Sequence, residues 1–317
     1  MTEFAFVFPG QGSQAVGMLD AWGDHPAVRQ TLAEASDALG EDLAALIRNG
    51  PKEQLDLTTN TQPVMLTAGI ACYRAWLAET GLKPALVAGH SLGEYSALVA
   101  AEALSLADAL PLVRFRAQAM QEAVPVGVGA MAAILGLDAE AVSAACADAA
   151  RESGEIVEAA NFNDPKQTVI AGSKAGVAAA CELVKARGAK RALPLAVSAP
   201  FHSSLMRPAA ERLRDRLAGV ELRAPVIPLI NNIDVAINDD PEQIREALYR
   251  QAYGAVRWVE IVQALQTRSI PVVIECGPGK VLTGMVKRIA PELQAACLFD
   301  PASLSEARAL LSSAPTH

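Results

Sequence analysis

The chain has 317 residues, of which 51% are hydrophobic and 4% aromatic. A chain of this length exceeds the usual size of one domain, so we expect a large domain and a smaller one. The formal net charge is −8 at pH 7, and the sequence has no dense run of basic residues. This composition argues against nucleic acid or an anionic membrane surface as a partner.

The amino terminus and the cysteines indicate the cellular compartment in which the protein is expected. The first eight residues carry no basic segment and only a short apolar run, so they predict a β-strand and not a signal peptide. No stretch of about eighteen uncharged apolar residues occurs, and we therefore expect no membrane span. The five cysteines are scattered, without the spacing of metal ligands or of a disulfide framework. We expect a cytoplasmic protein with no metal site.

Strand and helix patterns alternate along most of the chain. Strands are predicted at residues 4–8, 86–89, 226–231, 271–275 and 296–299. Helices are predicted at residues 26–39, 62–80, 94–101, 106–123, 241–253, 256–268 and 281–289. Apolar strands that alternate with helices predict an α/β fold with a parallel sheet covered on both faces.

The middle of the chain has a different order of predicted strands and helices. Strands are predicted at residues 130–135, 156–161, 167–171 and 192–197, with helices at 138–150 and 175–187. This β-α-β-β-α-β order is typical of the ferredoxin-like fold. Chain breakers stand at both ends, at Pro125-Val126-Gly127 and at Ser198-Ala199-Pro200. We therefore predict a large discontinuous domain, 1–126 and 199–317, interrupted by a small domain at 127–198.

One short motif carries the strongest chemical signal. After a predicted strand and before a predicted helix the chain reads Gly89-His90-Ser91-Leu92-Gly93, the pattern Gly-x-Ser-x-Gly. On a tight strand-to-helix turn the serine hydroxyl is exposed, and the next amide points at the same space. An ordinary turn is the alternative, but the flanking strand and helix favour a nucleophile. Since a serine hydroxyl is protonated at neutral pH, Ser91 needs a base.

The base is sought among four histidines. His90 adjoins the serine, but neighbouring side chains diverge on a tight turn, so we expect it to pack or to steady the loop. His25 lies among helix-capping residues, and His317 is the last residue. His202 follows Pro-Phe where the small domain returns to the large one, and clefts form at such junctions. We predict His202 as the base, with a half-buried loop histidine as the alternative.

A second glycine-rich loop, Pro9-Gly10-Gln11-Gly12-Ser13-Gln14, follows the first strand. It partly matches a dinucleotide fingerprint, but a helix is predicted where that fold needs a second strand. It could also be a flexible turn, or it could supply a backbone amide to an oxyanion hole beside the amide of Leu92. Later in the chain, Gly277-Pro278-Gly279-Lys280 lacks the remaining residues of a phosphate loop.

From residue 4 to residue 299 the chain resembles the malonyl-CoA:acyl carrier protein transacylase family of bacterial fatty acid synthesis. The resemblance rests on shorter segments in the same order and on two longer ones, Phe8-Pro9-Gly10-Gln11-Gly12-Ser13-Gln14 and Gly89-His90-Ser91-Leu92-Gly93-Glu94. The shorter segments are Thr61-Gln62-Pro63, Arg116, Gly129-Ala130-Met131, Asn161-Phe162-Asn163, Pro200-Phe201-His202, Asn231-Asn232, Gln251 and Glu275-Cys276-Gly277-Pro278-Gly279-Lys280. It implies an α/β-hydrolase-like core with a ferredoxin-like insert, in agreement with the segment patterns.

The resemblance also implies catalytic roles. Ser91 would form an ester with the malonyl group, and His202 would act as general base. The backbone amides of Gln11 and Leu92 would form the oxyanion hole. A backbone carbonyl at Gln251, and not a carboxylate, would orient the histidine, so the pair is a dyad. Gly254-Ala255 replaces the Asn-Pro that is more usual in the family, which leaves open which carbonyl does this.

Two further residues concern the substrate. An arginine on a helix, such as Arg116, is usually a solvated surface charge, but the family resemblance implies that it binds the free carboxylate of malonate. Arginine suits this role because its guanidinium can bind a carboxylate through two parallel hydrogen bonds. Phe201 stands where stand-alone bacterial members often have a small residue. Its ring would crowd a substituent on the acyl α-carbon, so we predict a preference for malonyl over methylmalonyl groups.

The implied activity is acyl-carrier-protein S-malonyltransferase, with malonyl-CoA as substrate and no cofactor of its own, since the carrier protein brings the phosphopantetheine. Carrier proteins are acidic, so docking on this acidic chain needs a local basic patch. The candidates are Lys185, Arg187, Lys190 and Arg191 on the insert, and Lys280, Lys287 and Arg288 near the C-terminal helices. A polyketide malonyltransferase, a serine thioesterase and a non-catalytic docking domain remain as alternatives, and we expect a monomer.

Overall fold

A parallel sheet forms the centre of the larger part of the molecule. The structure is a computed structural model and describes residues 2–197 and 199–313. The strands of this sheet are β1 (Phe4–Phe8), β2 (Leu86–Gly89), β7 (Leu229–Ile230), β8 (Val272–Cys276) and β9 (Gln294–Leu298). They lie in the order β7-β2-β1-β8-β9, with every neighbouring pair parallel.

Helices pack on both faces of this sheet. They are α1 (Pro26–Leu39), α2 (Leu43–Asn49), α3 (Lys52–Leu55), α4 (Thr58–Thr80), α5 (Gly93–Ala100), α6 (Leu106–Glu122), α9 (Arg207–Ala218), α10 (Pro241–Gln251), α11 (Trp258–Thr267), α12 (Val281–Ile289) and α13 (Pro301–Ser313). Successive side chains of β1 point to opposite faces of the sheet and pack into the core on each side. Phe6 packs edge-on against Trp76 of α4, whereas Val7 belongs to the core beneath α11 and α12.

A separate antiparallel sheet lies between α6 and α9 in the chain. It contains β3 (Gly129–Leu135), β4 (Val157–Asp164), β5 (Gln167–Ser173) and β6 (Arg191–Pro194), in the order β4-β5-β3-β6. The helices α7 (Ala139–Ser153) and α8 (Lys174–Ala186) cover one face. Asp138 caps α7 through a hydrogen bond from the amide of Ala141. This element order and pairing confirm the predicted α/β class with a ferredoxin-like unit.

Several element bounds differ from prediction for identifiable reasons. The strand predicted at 226–231 shortens to β7, because Pro228 has no amide to donate and the amide of Val226 bonds to Ala101. Helix α4 begins at Thr58, four residues before its predicted start, with Pro63 inside it. The helices α2, α3, α9 and α13 were not predicted. Ser198, one residue of the predicted domain boundary, lies outside the described residues.

Candidate active site

Ser91 occupies a sharp turn between β2 and α5, as the motif predicted. Its φ is +53°, a strained conformation for a residue with a side chain. A Cβ on Gly89 would lie 1.9 Å from the carbonyl of Gly93, and one on Gly93 would lie 2.0 Å from the carbonyl oxygen of Phe8. The two glycines therefore allow the helix to start directly against the strands, which leaves the serine at the tip of the turn.

His202 is brought to this serine from the loop that follows the antiparallel sheet. Its Nε2 lies 2.7 Å from Ser91 Oγ. Its Nδ1 lies 2.9 Å from the carbonyl oxygen of Gln251 and 3.2 Å from that of Gly254. Because a carbonyl oxygen only accepts, Nδ1 carries the proton and Nε2 is free to accept from the serine hydroxyl. Gln251 and Gly254 thus both orient the imidazole, and the former is the nearer.

The surroundings keep this imidazole neutral. His202 is 5% exposed. Burial, followed by the positive charge of Arg116, lowers the pKa of His202 to about 3. A neutral imidazole with its Nε2 directed at a hydroxyl can remove the hydroxyl proton at physiological pH. The pair therefore has the geometry and the protonation state of a nucleophile and its base.

Arg116 lies in the same cluster and is not a surface charge. It is 2% exposed, on the face of α6 that points into the protein. Its Nη2 donates to Gln251 Oε1 at 3.0 Å and approaches Ser91 Oγ at 3.3 Å, while Nη1 donates to Gln62 Oε1 at 2.9 Å. A buried guanidinium held by neutral acceptors keeps its full charge available to an anion beside the serine.

A buried polar network supports the turn and was missed by the sequence analysis. The amide of Ser91 donates to Asn232 Oδ1 at 2.7 Å, and its carbonyl accepts from Gln251 Nε2 at 2.9 Å. Glu94 Oε2 then accepts from Gln251 Nε2 and from the amide of Asn232, each at 3.0 Å. Burial raises the pKa of Glu94 to about 7, although these two donors oppose the shift. The one available signal was a glutamate in the first turn of an apolar helix.

Gln11 and Leu92 were predicted to supply the backbone amides of an oxyanion hole. Both line the cavity that contains Ser91 and His202. Among residues 2–197 and 199–313, their backbone amides have no hydrogen-bond partner. The loop of Gln11 lies close to the turn, since a Cβ on Gly10 would be 2.7 Å from the carbonyl oxygen of His90. Two unpartnered amides beside one nucleophile can stabilise a developing oxyanion.

His90 and His25 have other partners and are not bases for this serine. His90 Nε2 lies 2.8 Å from Asn163 Oδ1, and its ring packs at 5.5 Å from Trp258, so it steadies the turn as predicted. His25 Nε2 contacts Glu79 at 3.1 Å, far along the chain from the cluster. His317 lies outside the described residues. Across the described ranges, no group of three His, Cys, Asp or Glu side chains could hold a metal, and no helix is long and apolar enough to cross a bilayer.

A cavity of about 290 Å³ joins these groups to the surface. Ser91, His202, Arg116 and Gln11 all line it. Its side walls come from α12 and from the antiparallel sheet, which contributes apolar side chains and the polar Asn161, Asn163 and Gln167, with Phe201 beside the base. Leu195 and Val281 line it and are 38% and 48% exposed, so the cavity opens between β6 and α12. A narrow acyl chain with a thioester can reach the serine from that side.

A serine and a histidine in hydrogen-bond contact on a strand-to-helix turn of an α/β scaffold are typical of a serine-dependent acyl-transfer site. Comparison with known proteins agrees, because the acyl transferase domain model matches residues 5–297. The chain belongs to this acyl transferase family.

The relatives within the family are similar over nearly their whole length. The malonyl CoA-acyl carrier protein transacylase of Escherichia coli K12 is 52% identical over 97% of this chain and 99% of its own. A crystal structure of an acyl-carrier-protein S-malonyltransferase from Burkholderia pseudomallei is 64% identical, with a TM-score of 0.95 over 96% of this chain and 99% of that one. A malonyl-transacylase solved in complex with a type II polyketide synthase acyl-carrier protein is 51% identical, with a TM-score of 0.94 over 96% and 99%.

Proposed function

We propose that this protein is an acyl-carrier-protein S-malonyltransferase that supplies fatty acid synthesis. The observation that carries the proposal is the buried guanidinium of Arg116, whose Nη2 lies 3.3 Å from Ser91 Oγ. A hydrolase for neutral acyl groups has no use for a cation at the inner end of its acyl pocket. A cation there suits an acyl group that ends in a carboxylate, and two relatives that are 52% and 64% identical carry malonyl in their names.

In the first half-reaction, Ser91 Oγ attacks the thioester carbonyl of malonyl-CoA while His202 Nε2 accepts the hydroxyl proton. The carbonyl oxygen becomes an oxyanion held by the amides of Gln11 and Leu92. Collapse of this intermediate breaks the carbon–sulfur bond, and His202 returns the proton to the leaving thiolate of coenzyme A. Base catalysis of this kind contributes about 10²- to 10⁴-fold, and one oxyanion donor about 3 to 4 kcal/mol.

The second half-reaction reverses these steps with another thiol. The phosphopantetheine thiol of the carrier protein gives its proton to His202 and attacks the seryl ester. The carbon–oxygen bond then breaks, and Ser91 Oγ recovers the proton. The enzyme needs no cofactor of its own, because both thiols arrive with coenzyme A or with the partner.

The carrier protein has to dock where the cavity opens. Both basic clusters are partly neutralised, since Lys185 pairs with Glu182 at 2.8 Å and Arg187 with Asp148 on the insert, and Arg288 pairs with Asp164 at 2.8 Å. The cluster of Lys280, Lys287 and Arg288 brackets α12, whose first residue lines the cavity mouth. We therefore place carrier-protein docking at the second cluster, where phosphopantetheine would enter beside Val281.

One experiment tests the function directly. The purified protein is mixed with radiolabelled malonyl-CoA, and the acyl-enzyme is isolated and offered acyl carrier protein or water. We expect label on Ser91 in the wild type and none in Ser91→Ala, with release to carrier protein and only slow release to water. Rapid release to water would instead identify a thioesterase, and the absence of a labelled protein would overturn the mechanism.

A polyketide pathway is the second candidate for the acceptor, because one close relative was solved with a polyketide carrier protein. The test is a comparison of kcat/KM for fatty acid and polyketide carrier proteins. The boundaries at 126/127 and 198/199, the monomeric state and the cytoplasmic location stay predictions.

A further inference from the structure

Gln62 lines the cavity from α4, where it contacts the guanidinium of Arg116. The side chain is 2% exposed. Its Oε1 accepts a hydrogen bond of 2.9 Å from Arg116 Nη1. The family resemblance included this residue as part of a sequence segment and gave it no role.

The contact with Arg116 determines how the amide of Gln62 is turned. A guanidinium only donates, so the oxygen of the amide has to face it and the NH₂ group has to face away. Within the described part of the chain, Nε2 of Gln62 has no hydrogen-bond partner. Nε2 is not among the fully buried side-chain atoms that lack a partner in these residues, so it is accessible from the cavity. A donor in that position can bind water or a ligand oxygen. Here the open side is the cavity.

We propose that Gln62 is a second binding residue for the carboxylate of the acyl group. Its Nε2 donates to one carboxylate oxygen while the guanidinium of Arg116 pairs with the same group. The inference rests on the proposed function. An acetyl group offers no oxygen at that position, so Gln62 contributes to selection of malonyl over acetyl groups. Gln62 and Arg116 together would hold the carboxylate in one plane and direct the thioester carbonyl towards Ser91.

The first test is kinetic. Gln62→Met keeps the length of the side chain and removes both the Nε2 donor and the Oε1 acceptor of Arg116. We expect kcat/KM for malonyl-CoA to fall about 10- to 150-fold, the equivalent of one hydrogen bond to a charged group, with acetyl-CoA turnover changed much less. Gln118→Met, on the exposed side of α6, is the matched control and should change neither substrate. An unchanged malonyl preference in Gln62→Met would refute the proposal.

The second test separates substrate binding from a merely structural support of Arg116. A crystal structure of the malonyl-Ser91 enzyme should show Gln62 Nε2 within hydrogen-bond distance of a carboxylate oxygen. A carboxylate that contacts Arg116 while Gln62 Nε2 stays apart would limit Gln62 to positioning the arginine and would overturn the inference. Failure of wild-type protein to form any malonyl ester would refute the proposed function instead, so the two failures are distinguishable.

Discussion

The substitution Arg116→Ala removes a buried cation beside the nucleophile and should abolish most of the selection for a carboxylated acyl group. The guanidinium is held by Gln62 and Gln251 at 2.9 and 3.0 Å, so it is already oriented before substrate arrives. A hydrogen bond to a charged group contributes about 1.5 to 3 kcal/mol, and about 1.4 kcal/mol corresponds to a factor of ten. We therefore expect the ratio of kcat/KM for malonyl-CoA over acetyl-CoA to fall about 10- to 150-fold.

The assay measures both thioesters with the same preparation, so that a loss of folded protein cancels in the ratio. Arg114→Ala is the matched control on the same helix. Arg114 pairs with Glu41 through two hydrogen bonds of 2.8 Å near the surface, and exposed pairs of this kind contribute little. Its ratio should equal that of the wild type. If Arg116→Ala also keeps the wild-type ratio, the carboxylate is bound elsewhere and the assignment of Arg116 is wrong.

Three further results are expected. Phe201→Ser should raise methylmalonyl-CoA turnover relative to malonyl-CoA, since the ring lines the cavity beside the base; equal turnover of both by the wild type would contradict the steric argument. The imidazole ¹⁵N shifts of His202 should stay constant from pH 8 to pH 5, because its pKa is lowered to about 3 and the ring remains neutral throughout; a midpoint near 6.5 would show that it is not desolvated. Lys287→Glu should raise KM for carrier protein and leave acylation by malonyl-CoA unchanged, with Lys185→Glu, already paired with Glu182, as the control; equal effects of the two would move the docking face.

The buried parallel strands and the helices with a clear apolar face were predictable. Strands β1 and β2 have the predicted bounds because every residue in them is buried and apolar or glycine. Helix α9 was missed because eight of its twelve residues are not part of its buried face, which consists of Ala209, Ala210, Leu213 and Leu217. Its stability comes from packing against α6 and α10, which a local pattern does not reveal.

The residues of the site differ in how far the sequence alone predicts their roles. Ser91 follows from a local motif, since the strained turn and its glycines are encoded within five residues. His202 required an argument from elimination and from its place at a domain junction, and Arg116 required the family resemblance. Glu94 and Asn232 were not assigned roles, because a polar side chain shows its burial and partners only once distant segments have met.

Gln251 explains how three distant segments reach one geometry. Its backbone carbonyl orients His202, its Nε2 binds the carbonyl of Ser91, and its Oε1 accepts from Arg116. Since Glu94 also accepts from Nε2, the amide cannot rotate without placing its NH₂ group against the guanidinium. One residue thereby couples the positions of the base, the nucleophile and the carboxylate-binding arginine. The group that orients the imidazole is therefore a neutral carbonyl. The buried carboxylate of Glu94 contacts Gln251 and not the imidazole itself.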